Sequence, residues 1–244
     1  MGASMKPIWE IDKAAIQRWR EFVSSNIEND VARDRKRRNV DRKDIDLSKP
    51  SLWRVFVGCQ VTTQQRSGPN TPVSRFIDST SPALNYQTCR QNLSVLGMLE
   101  RELTSAGLRR AQTIAGNLAH ILGELEDGEW KILREHLSTL ESNTTRGKEQ
   151  KVAAYLQSRK YPGLGPKQSR NFIQWVGLSR YEIPLDSRVL KKLKELGCSF
   201  VPHATALSDE TVYRFVQSGL QQIADEIGIY PCMLDACIFS SFDK

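Results

Sequence analysis

Apolar residues recur along this chain at three- and four-residue spacing, the period of a helix with one buried face. Ile16, Trp19, Val23 and Ile27 make one such stripe, and Leu108, Ala111, Ala115, Leu118 and Leu122 make another. Val212, Phe215, Val216, Leu220 and Ile223 make a third, with Ser208 as the expected N-cap. The stretch Leu52–Val61 is apolar on nearly every side, which predicts a helix covered all round. Pro231 suits a first helical position, ahead of Leu234, Cys237 and Ile238. There is no sustained two-residue alternation and no Asn-Gly or Asp-Gly hairpin signal between alternating runs, so strands are not expected. No repeat of domain-building length is visible. The pattern predicts an all-α protein with loops at Ser67–Pro72, Glu141–Gly147 and Gly197–Ser208.

At 244 residues and 39% hydrophobic content the chain suits one large domain or two small lobes. The longest apolar run, near Val55–Val61, is far shorter than the roughly 20 residues that span a bilayer. Met1–Met5 is small and polar rather than a secretory signal and reads as an added leader before Met5, so a soluble, cytoplasmic monomer is expected. The five cysteines (Cys59, Cys89, Cys198, Cys232 and Cys237) are odd in number and lack CxxC spacing. Neither a disulfide framework nor a four-cysteine metal site is suggested. His120, His136 and His203 are too scattered for a metal cluster, so no metal centre is expected.

Charge adds more. The formal net charge is +7, and nine cations against two acids lie between Arg159 and Lys194, which accounts for all of it. A second basic run, Arg33-Asp34-Arg35-Lys36-Arg37-Arg38 with Arg42 and Lys43, is diluted by acids and reads first as a solvated face. The later cluster coincides with a motif. A helical segment runs into Pro162-Gly163-Leu164-Gly165-Pro166-Lys167, and a second helical segment leaves it. Glycines permit a tight turn with bare backbone, and amides at the second helix's N-terminus suit an anion such as a DNA phosphate. Taken alone, the turn is equally well an ordinary helix-helix connection.

Lys167 stands at that helix N-terminus, where the positive dipole end disfavours further positive charge, and a neutral amine is a nucleophile. Nineteen residues later Ile183-Pro184-Leu185-Asp186 places a carboxylate at the head of another helix. Separately, Lys167 would be a phosphate contact and Asp186 an N-cap; together they ask for one explanation.

This hairpin, lysine and aspartate resemble the helix-hairpin-helix DNA glycosylases with a Gly/Pro-Asp loop, above all the lysine-bearing bifunctional members such as 8-oxoguanine DNA glycosylases and endonuclease III. Val57-Gly58-Cys59-Gln60-Val61-Thr62-Thr63-Gln64-Gln65 is similar to the family's early buried helix and gap-reaching loop, and Gly107-Leu108-Arg109-Arg110-Ala111 to a later helix start. The likeness runs from about Ser51 to Leu196. It implies two helical lobes around a DNA cleft, with 51–182 forming the hairpin lobe and 1–50 and 183–244 pairing as the other. It further implies duplex DNA with a damaged or modified base as partner, and base excision repair as the setting.

By the same resemblance Lys167 attacks the sugar and Asp186 stabilises developing charge. Gly163 and Gly165 hold a phosphate, with a monovalent cation at the hairpin and no other cofactor required. Gln64 or Gln65 fills the emptied stack, and Arg170 and Arg188 contact DNA. Trp53, Asn171, Phe239 and Phe242 are candidate walls for the base, while Trp175 is assigned to the core with Phe172 and Val176. The chain departs from the family in places. It lacks the four-cysteine iron–sulfur signature, and Ser187-Arg188 stands where many members have Thr-His. Asn171 stands where eukaryotic-type enzymes place a cysteine, and the chain ends in Lys244, as the small archaeal-type enzymes end in lysine. The first expectation is excision of 8-oxoguanine with AP lyase activity. The alternatives are the same chemistry on a modified pyrimidine, an alkylated purine or a bulky foreign base, or a non-catalytic DNA-binding module.

Overall fold

Leu52–Val61 is apolar all round because it is buried all round. In the computed structural model, which describes residues 8–242, it belongs to α3 (Lys49–Val61), with Leu52, Trp53, Phe56, Val57 and Cys59 fully covered. Ser48 caps its N-terminus through the Ser51 amide, and Pro50 sits in the first turn, where a missing N–H costs nothing. The Met1–Met5 leader and Lys244 lie outside the described residues.

Before α3 come α1 (Lys13–Ser24) and α2 (Asp30–Arg35). After it come α4 (Pro72–Ile77), α5 (Tyr86–Gln91), α6 (Val95–Ser105), α7 (Ala111–Glu124), α8 (Trp130–Ser138), α9 (Arg146–Leu156), α10 (Pro166–Trp175), α11 (Ser187–Glu195), α12 (Glu210–Ile227) and α13 (Pro231–Ser240). Among the described residues there is no strand, as the periodicity predicts. No helix among them is long and apolar enough to cross a membrane.

The helices close over two main cores. One is drawn from the middle of the chain: Phe56, Leu118, Ile121, Phe172 and Ile173 are among its members. The other joins the two chain ends, with Trp19 and Val23 of α1 packed among Leu185, Leu193, Tyr213, Leu220 and Ile238. A fully covered Leu or Phe contributes about 1.5–3 kcal/mol relative to exposure, and each core buries several such side chains. The described residues thus form an all-helical, two-lobed architecture, as expected from the sequence.

Several boundaries differ from the periodicity. Leu108 is not part of α7: Gly107, at φ +71°, ends α6, and Leu108 donates its amide back to the Leu103 carbonyl at 3.1 Å. Its apolar side chain is buried in the turn, which mimics a helical stripe. The cap of α12 is Asp209, not Ser208; its carboxylate accepts from the Thr211 and Val212 amides at 2.7 and 3.1 Å. Arg146 already belongs to α9, capped by Thr145, and Ala204–Ser208 forms a 3-10 turn inside the loop expected at Gly197–Ser208.

The basic run at Arg33–Lys43 is only in part the solvated face expected, because Arg35 reaches Asp235 at 2.9 Å and Arg38 the Trp175 carbonyl, both far along the chain. Arg33 pairs with Asp30 at 2.8 Å and Arg37 with Asp34 at 3.0 Å, while Arg42 donates to the Gly177 carbonyl at 3.1 Å.

Candidate active site

Between α9 and α10 the chain reverses through Tyr161–Gly165. Gly163 takes φ +85°, and a Cβ there would lie 2.5 Å from the Gln60 Oε1. Only glycine allows this backbone to approach α3 so closely. Gln60 holds the turn: its Nε2 donates to the Pro162 carbonyl at 2.6 Å, and its Oε1 accepts from Asn117 at 3.1 Å. Leu164 closes the turn by donating to the Tyr161 carbonyl at 3.1 Å. Gly163 and Gly165 are left exposed. Pro166 opens α10, so Lys167 occupies its first turn.

Asp186 arrives from the other core, on an extended segment that caps α11. The Lys167 Nζ lies 3.3 Å from the Asp186 Oδ2, with the two side chains 31% and 17% exposed. Burial pushes the Asp186 carboxyl up, but the Lys167 charge and the Arg188 hydrogen bonds outweigh it and hold the group below its usual range. Arg188 donates to the same oxygen through Nη2 at 2.8 Å and lies 4.2 Å over the Phe239 ring.

These groups open into a cavity of about 230 Å³, on the scale of one base, whose walls include Lys167, Asn171, Asp186, Arg188, Asp235 and Phe239. Thr62 and Ser67 also line it, so the loop carrying Gln64 and Gln65 borders the cavity. Gln64 is exposed, at φ +57°, and accepts from Arg110 Nη1 at 3.1 Å. Gln65 is tied down: it donates to the Val61 carbonyl at 2.6 Å and accepts from the Arg109 amide at 3.0 Å.

Three expectations are corrected by burial or placement, and a fourth is extended. Trp53 is fully covered in the first core and donates its indole N–H to the Ala83 carbonyl at 3.0 Å, so it cannot wall a base pocket. Arg170 is fully buried and paired with Glu182 and Glu210 at 2.7 and 2.6 Å, which removes it from any DNA surface. Phe242 packs on the second core beneath Lys191 and Lys192 rather than at the cavity. Trp175 packs against the first core as expected, and in addition lines the cavity while resting against Gly58.

Asp235 was missed. It is a lone charge in the otherwise apolar helix Pro231–Ser240, and that isolation was the available signal. Its carboxylate pairs with Arg35 at 2.9 Å, and burial pushes it up against that partner. Among the described residues no group of three or more His, Cys, Asp or Glu side chains is placed to hold a metal ion.

No protein-family model matches the sequence. No curated protein matches it either. Solved structures do. The chain is similar to the 8-oxoguanine DNA glycosylase of Methanocaldococcus jannaschii, with 16% identity over 94% of both chains and a TM-score of 0.69. It is also similar to the 8-oxoguanine glycosylase/lyase of that organism in complex with a 15mer DNA containing 8-oxoguanine, at TM-score 0.67, 16% identity and coverage of 93% of this chain and 96% of that one. A third likeness is to the 8-oxoguanine DNA glycosylase of Thermotoga maritima, at TM-score 0.65 and 16% identity, covering 94% of this chain and 98% of the other.

Proposed function

We propose that this chain, which shares the fold of 8-oxoguanine DNA glycosylases, excises a damaged or modified base from duplex DNA and then nicks the strand as an AP lyase. The first substrate to test is 8-oxoguanine. The observation that carries the reading is the 3.3 Å approach of Lys167 and Asp186 at a base-sized cavity.

The chemistry follows from the groups present. A base must leave the stack before an enzyme can act on it, at a cost of a few kcal/mol. Exposed Gln64 is the side chain suited to enter the vacated space, because its neutral amide can hydrogen-bond the widowed partner base. The extruded base lies against Phe239 and Trp175. Attack requires the Lys167 amine to have passed a proton to bulk water, directly or by way of the facing Asp186 carboxylate, which is left ionised. The new bond joins Nζ to the anomeric carbon as the glycosidic bond breaks, and the base departs with the electron pair and takes up a proton. Ionised Asp186 stabilises the positive charge that develops on the sugar. Ring opening gives a protonated imine. Loss of a 2′ proton then expels the 3′ phosphate by β-elimination and cuts the strand.

Exposed Gly163 and Gly165, with the first amides of α10, would seat a backbone phosphate near Lys167. Carbonyls of that turn other than those engaged by Gln60 and Leu164 would suit a hard monovalent cation, which would offset part of the phosphate charge.

Borohydride trapping on a duplex with one abasic site tests the reading. A covalent adduct with wild type, lost in Lys167→Gln, is the expected result; no wild-type adduct would overturn the lyase assignment. Duplexes carrying single modified bases then identify the substrate, and cleavage of a modified pyrimidine or bulky base in place of 8-oxoguanine would replace the first choice.

A further inference from the structure

Arg170 and Tyr213 are buried polar groups for which the proposed chemistry has no direct use. Arg170 is fully covered, three residues after Lys167 on α10. Its Nη1 donates to the Pro166 carbonyl at 2.9 Å, its Nε to Glu182 at 2.7 Å and its Nη2 to Glu210 at 2.6 Å. The guanidinium carbon lies 4.3 Å from the centre of the Tyr213 ring. Tyr213 is fully buried on α12, in the other core. Its hydroxyl donates to the Ile183 carbonyl at 2.8 Å and accepts from the Leu185 amide at 2.6 Å.

The chain of contacts therefore begins at Pro166, one residue before Lys167, and ends at Leu185, one residue before Asp186. We propose that Arg170 and Tyr213 are positioning residues that set the approach of Lys167 to Asp186 across the two cores. The proposal rests on the glycosylase reading for its catalytic consequence.

Two physical arguments support it. Stability alone does not require an ionic cluster here, since apolar groups of similar volume often replace buried ion pairs without loss. What a guanidinium adds is a planar fork of five donors in fixed geometry, which ties the first turn of α10, through the Pro166 carbonyl, to Glu182 and Glu210 at once. Positioning also matters steeply, because a displacement of about 1 Å at a reacting pair can cost about 100-fold in rate.

Tyr213→Phe and Arg170→Lys test the idea, with melting curves taken to establish that each is folded. Binding to a duplex containing a stable abasic analogue should stay within about twofold of wild type, while single-turnover excision and adduct formation fall about 10- to 100-fold. An independent readout needs no activity: carbon-13 NMR titration of the Asp186 carboxyl in the DNA-free protein. Asp186 is faced by Lys167 on α10, Arg188 on α11 and Asp235 on α13. If the variants let Lys167 withdraw, Asp186 loses that cation and its titration moves to higher pH. A structural role alone would lower the melting point without moving it. Wild-type excision rates together with an unmoved Asp186 titration, in both folded variants, would overturn the proposal. An NMR shift in variants of a protein that forms no adduct even as wild type would uphold the positioning role and reject the glycosylase reading. If Tyr213→Phe does not fold, Arg170→Lys decides by the same two measurements.

Discussion

Asp186 serves Lys167 and its own helix with different oxygens. Oδ1 accepts the Arg188 and Val189 amides at 2.9 and 3.3 Å, which caps α11, while Oδ2 faces Lys167 at 3.3 Å. The cap and the approach to Lys167 therefore use different oxygens, and substitutions can separate the two roles proposed for this aspartate.

Asp186→Asn keeps a good capping group and removes the charge. Its unfolding free energy should change by only a few tenths of a kcal/mol through the cap, whereas Asp186→Ala should lose about 1 kcal/mol more. Base excision should fall by about 10²–10³-fold in both, as for loss of one preorganised electrostatic group. Urea melts beside single-turnover assays check this. Normal excision by Asp186→Asn would remove the carboxylate from the chemistry.

The pH dependence follows from the same group. Its folded carboxyl titrates below the ordinary value, so the native state binds its proton less readily than the unfolded chain does. The resulting stabilisation is complete above the ordinary carboxylate range and is lost as pH falls through it to the lower folded value. Unfolding curves of wild type and Asp186→Asn should converge with acidification across that window. A gap that widens in acid would contradict the ion pair.

Gly58 and Trp175 give a prediction against helix propensity. Alanine in mid-helix ordinarily gains about 1 kcal/mol over glycine. In α3, however, a Cβ on Gly58 would sit 2.4 Å from the Trp175 ring. Gly58→Ala should therefore lose stability, with overpacking costing about 1–3 kcal/mol, and should displace a wall of the cavity. Thermal melting and tryptophan fluorescence measure the two effects; a stabilised variant with unchanged fluorescence would refute the contact.

Trp53 and Phe239 should behave oppositely. Trp53→Ala empties the first core and should cost about 3–5 kcal/mol. Trp53→Phe is the milder probe, and should leave the relative rates on different modified bases unchanged. Phe239→Ala, at the half-buried cavity wall, should melt near wild type yet lose discrimination among bases. A panel of modified duplexes run with both variants distinguishes them, and altered base preference in Trp53→Phe would place that indole at the site after all.

What could be read from the amino-acid order was what is decided locally. Apolar periodicity showed helices, the Pro-Gly-Leu-Gly-Pro turn showed where two of them join, and the lysine and aspartate stood at helix starts. These depend on neighbours within a turn or two of chain. Burial does not: Arg170 and Trp53 became interior residues because partners 12 to 40 positions away close over them. Asp235 joined the cavity only because α13 packs against α2 and α11, carrying a carboxylate beside Arg35, 200 positions earlier in the chain. The turn motif and the family resemblance pointed to Lys167 and Asp186, but only the docking of two cores brought this amine and carboxylate, from different helices, within 3.3 Å.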